Sequence, residues 1–193
     1  MVRLTLTAIL GVANLLADGF AMGAANYIAT KSDRDAYRRL LAIEERHIAL
    51  VPDGEREEIR QIFAAKGFAG DELERLVAVL TADPGEWART MAVEEHGSAP
   101  VMKHPVFAGG STFLAFFLAG LVPLLGYVLT RNLVGCTLTA AAAFLAIGAI
   151  KSRWMAVPWW RSGLETCAIG LFAAGLAFAV GAGLRWLLGG AVG

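Results

Sequence analysis

The chain has 193 residues, 56% of them hydrophobic and 18% charged, with a mean hydropathy of +0.56. That share is well above the globular norm and argues against a soluble, disordered or fibrous protein. Seventeen basic and seventeen acidic residues cancel, leaving no basic surplus for a nucleic-acid partner, which phosphate binding requires.

The charges are unevenly placed. Between Lys31 and Lys103 lie 11 basic and 15 acidic residues, 26 of the 34 in the chain. The pattern is that of an all-α membrane protein with one charged extramembrane domain. A helix needs about 20 apolar residues to cross a hydrocarbon core of about 30 Å. In chain order, residues 1–30 form the first such span, interrupted by one charge, Asp18. Residues 31–103 form a helical domain inserted between the first and second spans. Residues 104–193 carry three further spans, at about 105–130, 132–150 and 166–184. The N-terminal stretch is too long and lacks the small-residue cleavage site of an ordinary signal peptide.

Within the charged domain, residues 31–50 continue the first span without a breaker. Pro52 and Asp53 open a second helix that Gly67 stops, and residues 71–81 form a third. Asp83, Pro84 and Glu86 supply an N-cap, a proline at N1 and a carboxylate at N3, starting a fourth helix that Gly97 ends. So small a domain has a thin core, and packing against a second copy would enlarge it, so a homodimer is expected. In the membrane part only Arg131 separates the second and third spans, which makes them a tight antiparallel hairpin. Small residues are frequent, as in GLFAAGLAFAVGAG from Gly170 to Gly183, and allow helix backbones to approach closely. Lys31, Arg34, Arg38, Arg39, Lys103, Lys151, Arg153 and Arg161 fall on one side, against Arg3, Arg131 and Arg185 on the other. The positive-inside rule then places the charged domain in the cytosol, in a bacterial-type inner or plasma membrane. Trp154, Trp159 and Trp160 read as an interfacial belt.

Two groups of residues have chemical content. Asp18 lies near the middle of an apolar span, where a carboxylate costs about 2.5 to 3.5 kcal/mol on insertion scales and marks an ion or proton site. Met22 and Asn26 follow at i+4 and i+8, giving a stripe of carboxylate, thioether and amide. In the charged domain Glu44 and His47, Glu55 and Glu58, and Met91 and Glu95 pair at helical spacing. Three helices can therefore converge four carboxylates, an imidazole and a thioether, a donor set suited to first-row transition metals. Taken singly, each glutamate also fits an ordinary solvated acidic face. His96 and His104 read as flanking polar residues at the return to the membrane. Cys136 and Cys167 sit in apolar runs as packing residues.

Enzymatic motifs are missing: no phosphate loop, HExxH helix or GxSxG elbow occurs. Three histidines are too few for a histidine-rich membrane oxygenase. No nucleophile–base pair supports an enzyme.

ILGVANLLADGFAMGAANYIATKSD, from Ile9 to Asp33, resembles the second membrane helix of the vacuolar iron transporter family. GEREEIRQIFAAKGF (Gly54 to Phe68) and WARTMAVEEHG (Trp87 to Gly97) are similar to that family's cytosolic metal-binding domain. The stretches beginning at Pro105 and Pro158 resemble its third and fifth membrane helices. The resemblance implies a dimeric, proton-coupled exporter of ferrous iron, in some members manganese, from the cytosol, with the metal as cargo and no permanently bound cofactor. It implies metal-ligand positions at Glu44, Glu55, Glu58, Met91 and Glu95, with His47 where the family usually has another glutamate. Asp18 and Met22 match intramembrane positions. Asn26 and Ala25 depart from the family's acidic residue and glycine. The chain starts at the family's second helix, so a clipped gene start or a genuine four-span variant is expected. The expected partners are divalent metal ions, protons, the bilayer and a second copy. The rival expectation is a non-transporting membrane sensor or metal buffer.

Overall fold

The computed structural model describes residues 2–189. The side chain of Arg3, used above for orientation, lies outside the described residues. In chain order the helices are α1 (Val2–Leu50), α2 (Pro52–Ala65), α3 (Gly70–Leu80), α4 (Pro84–Glu94), α5 (Pro105–Thr130), α6 (Leu133–Lys151) and α7 (Trp159–Gly189), with a 3₁₀ turn at Ser152–Trp154. Among the described residues there is no strand.

Four of these helices, α1, α5, α6 and α7, are long and apolar enough to span a membrane. Only 6–11% of their most apolar windows is buried inside the protein. Their leucine, valine and phenylalanine side chains therefore face outward, which water would penalise and lipid does not. The chain is an integral membrane protein. At 1.5 Å per residue α1 is about 70 Å long, more than twice the hydrocarbon thickness of about 30 Å. Its apolar part ends at Thr30, and the helix continues because no proline or turn residue interrupts it. Helix α7 begins at Trp159, seven residues ahead of the apolar stretch that starts at Thr166. Arg161 and Glu165 end the hydropathy signal, but they leave backbone hydrogen bonding intact.

The chain divides into two compact units. The first contains α1 up to Ala21 and everything from Phe113 onward. Small residues let its helices approach. A Cβ on Gly148 would meet the Ser162 carbonyl oxygen at 2.5 Å and the Gly163 Cα at 2.7 Å. Gly170 lies against the Phe144 ring, Gly126 against Thr139, and Gly19 beside Phe113 and Phe116. The α5–α6 turn has Arg131 at φ 56°, and the Asn132 side chain caps α6 by accepting from the Gly135 N–H at 2.7 Å.

The second unit runs from Met22 to Thr112. Its core gathers Ile48, Ile59, Leu73, Val77, Trp87, Ala88 and Met91. Arg60 ties α2 to α3 through two hydrogen bonds to Glu74, at 2.8 and 3.1 Å. Lys66 ties α2 to Glu94 on α4. The Asp83 carboxylate accepts from the Glu86 N–H at 2.8 Å, closing the start of α4. Gly67 and Gly97, at φ +100° and +62°, stop α2 and α4 in backbone conformations that other residues resist.

Replacing Gly148 by valine should force α6 off α7 and destabilise the detergent-purified protein by about 1–3 kcal/mol. Gly175→Val, where a Cβ meets nothing within 4 Å, should leave the thermal midpoint unchanged. Equal midpoints for the two variants would mean that the Gly148 contact does not hold the pair together.

Candidate metal centre

The core of the second unit carries an acidic cluster at its edge. Glu44 lies on the last turns of α1, Glu55 on the first turn of α2, and Glu95 and His96 in the turn that closes α4. Ile48, one turn past Glu44, and Ile59, one turn past Glu55, both enter the apolar core. Anchoring those hydrophobic neighbours draws the two carboxylates out of water: Glu44 is 2% exposed and Glu55 8%. The ligand atoms of Glu44, Glu95 and His96 all lie within 4.8 Å of one another. His96 Nε2 stands 3.0 Å from Glu44 Oε1 and 3.6 Å from Glu95 Oε2. On the other side, His47 Nδ1 is 3.6 Å from Glu55 Oε1.

Glu55 links the two sides. Its Oε2 is buried with no hydrogen-bond partner, a costly state for a carboxylate oxygen. Burial holds its proton above the usual carboxylate range, and the charges of Glu58, Glu44 and Glu95 push in the same direction against the opposing effect of His47. Among the described residues no lysine or arginine pairs with Glu44, Glu55, Glu58 or Glu95. Arg56 pairs with Asp53, Arg60 with Glu57 and Glu74, Lys66 with Glu94, and Arg89 with Glu86. Among the described residues the cluster's basic ion-pair partners are imidazoles, a charge arrangement that a divalent cation would relieve.

Of the six residues that the sequence nominates, Glu44, His47, Glu55, Glu58 and Glu95 come together electrostatically around Glu55. Glu58 is exposed at the edge. Met91 is different: it is fully buried in the apolar core beside Ile59 and Trp87, so packing accounts for its place. His96 is the residue that the sequence reading assigned to a flanking role and the structure brings into the cluster. In an unbroken helix, adjacent residues 95 and 96 point about 100° apart, which hides their cooperation. The signal was Gly97, which ends the helix and lets the closing turn present both.

In the membrane-spanning residues, Asp18 is exposed on α1, and Met22 is 48% exposed. The Asn26 amide donates to Thr112 Oγ1 at 2.7 Å and to the Ala108 carbonyl at 3.2 Å. It fastens α1 to α5 within the second unit, beside the close approach of Gly109 to the Gly23 carbonyl.

Comparison with known proteins settles the family. Residues 3–182 match the profile of the VIT family. The chain belongs to the VIT family. It is 34% identical over 180 residues to vacuolar iron transporter 2 of Oryza sativa subsp. japonica, covering 91% of this chain and 72% of that protein. It is 32% identical over 173 residues to vacuolar iron transporter 1 of Eucalyptus grandis, covering 87% and 70%. Its identity to vacuolar iron transporter 1 of Arabidopsis thaliana is 30%, covering 87% and 69%. These relatives are named transporters, not enzymes. All three names are vacuolar, and none supports the expected bacterial-type inner or plasma membrane.

The raised Glu55 proton affinity fixes a pH dependence for this VIT-family chain. Its contribution to stability is fully present below the unfolded-state carboxyl value and is lost as pH rises through the higher folded-state value. The chelator-treated protein should therefore lose thermal stability as pH climbs from acid toward neutral. Glu55→Gln should flatten that part of the curve and raise the neutral-pH midpoint. Melting curves across this range check it; identical slopes for parent and variant would refute the assignment.

Proposed function

We propose that this chain moves ferrous iron, with manganese as a second cargo, out of the cytosol in exchange for protons, as a homodimer. The observation that carries the reading is the buried, unpartnered Glu55 oxygen in a carboxylate–imidazole cluster that pairs with no lysine or arginine among the described residues. The names of the relatives, vacuolar iron transporters, agree with such a cargo. The positive-inside distribution supports a cytosolic position for the cluster.

In this reading Glu44, Glu55 and Glu95, with His47, His96 and the edge carboxylate Glu58, gather the hydrated ion. Imidazole among carboxylates tilts affinity away from magnesium and calcium toward first-row transition metals. The half-exposed Glu95 and His96, with side chains 41% and 38% accessible, give the ion a route in, and the buried Glu44 and Glu55 supply the charge that retains it. Met91 supports the cluster from the core. Asp18 and Met22, exposed on α1, are the next stations within the membrane. Proton coupling follows from the same chemistry, because Glu55 must release its proton before it can ligate.

Proteoliposomes with an acidic lumen should take up ferrous iron, and Glu55→Gln/Glu58→Gln should cut the rate by at least about tenfold, the equivalent of ~1.4 kcal/mol. Asp18→Asn should reduce transport while leaving iron binding by the detergent-solubilised chain intact. Binding without uptake by the parent chain would instead establish a membrane-anchored buffer or sensor.

A further inference from the structure

Away from the acidic cluster, the second unit contains a cleft of about 180 Å³ between α1 and the start of α5. Tyr27, Lys31, Arg34 and Arg38 line one wall at positions that fall on a single helix face. His104 and Pro105 line the other. We propose that this cleft binds a phosphate group, that of an anionic lipid headgroup at the membrane surface.

The argument rests on charge, position and pairing. Lys31, Arg34 and Arg38 make no ion pair among the described residues, and they are the three such cations that line this cleft. Asp35 is the cleft's only carboxylate, and it lies beyond ion-pair distance of all three cations. Three uncompensated cations with an imidazole opposite form a site for an anion. The guanidinium groups offer paired N–H donors that match phosphate oxygens. Position selects the source of the phosphate. Lys31 is the first charged residue after the apolar part of α1, and Pro105 opens the apolar helix α5. Both walls therefore pass from apolar to charged at the same place, the level of lipid headgroups. Tyr27, an aromatic with a polar tip, sits where such residues mark that interface. Basic side chains at this level gain most from an anionic bilayer surface. The site rests on the chain's being a membrane protein and on nothing about its transport activity.

The test uses the full chain in a neutral detergent, with bound ligand read by native mass spectrometry. Short-chain phosphatidylglycerol should be retained and short-chain phosphatidylcholine should not. Arg34→Gln/Arg38→Gln should weaken phosphatidylglycerol retention by at least about tenfold, as expected for loss of two juxtamembrane cations. Arg34→Lys/Arg38→Lys should keep most of it, and Arg46→Gln/Arg75→Gln, the same charge change outside the cleft, should keep all of it. His104→Gln gives an independent reading from the opposite wall if the double glutamine variant does not fold, and should also lower retention. Failure of excess inorganic phosphate to displace the lipid assigns the site to the headgroup. Displacement assigns it to phosphate as such and overturns the lipid source. Equal retention of phosphatidylcholine, or parental retention by both the Arg34→Gln/Arg38→Gln and His104→Gln proteins, overturns the proposal outright.

Discussion

Placing Glu55 in the interior, with one oxygen that finds no partner among the described residues, buries a carboxylate at a cost. Charge repulsion from Glu58, Glu44 and Glu95 compounds the cost, and a fold that tolerates such a group must offset it elsewhere. The offset comes from the apolar core directly beneath, in which Ile48 and Ile59 lie one helical turn past Glu44 and Glu55, on the same faces. Folding the core and assembling the acidic cluster are therefore one event. The helices cannot pack without bringing the carboxylates together.

The ion pairs of the second unit's lysines and arginines fall on other carboxylates. Exposed pairs such as Arg56–Asp53 and Arg89–Glu86 contribute little stability. They commit cations of the second unit to carboxylates outside the cluster. Arg60, held by Glu74 and Glu57, and Lys66, held by Glu94, are the clearest cases. Among the described residues the cluster's carboxylates find imidazoles as ion-pair partners, a donor set suited to a first-row transition metal. In the cleft between α1 and the start of α5, Lys31, Arg34 and Arg38 have no carboxylate partner among the described residues.

In the membrane part the governing constraint is the absence of water. Every backbone polar group must find its partner along the chain, which makes the spans helical. What distinguishes their packing is the placement of small residues. Gly148 against the Ser162 carbonyl and Gly109 against the Gly23 carbonyl bring backbones together with no room for a methyl group. Asn26 adds a polar tie from α1 to α5, where an acidic residue would be hard to accommodate against the Ala108 carbonyl.

The sequence by itself determined the helical class, the apolar spans, the helix punctuation at Pro52, Gly67, Asp83 and Gly97, and most of the acidic residues that meet. These depend on local rules, such as hydropathy over about 20 residues, capping chemistry and i, i+3 spacing. It also carried the family resemblance that comparison established. Tertiary structure decided the rest. Whether Met91 faces the cluster or the core depends on how α4 rolls against Ile59 and Trp87, and no spacing records that. His96, which by its place near the return to the membrane reads as a flanking residue, joins Glu44 across 52 positions of sequence through a helix-closing turn. The unpartnered oxygen of Glu55 and the unpaired cations beside Tyr27 are likewise products of which charges the fold pairs first, a competition settled only when all the helices are in place.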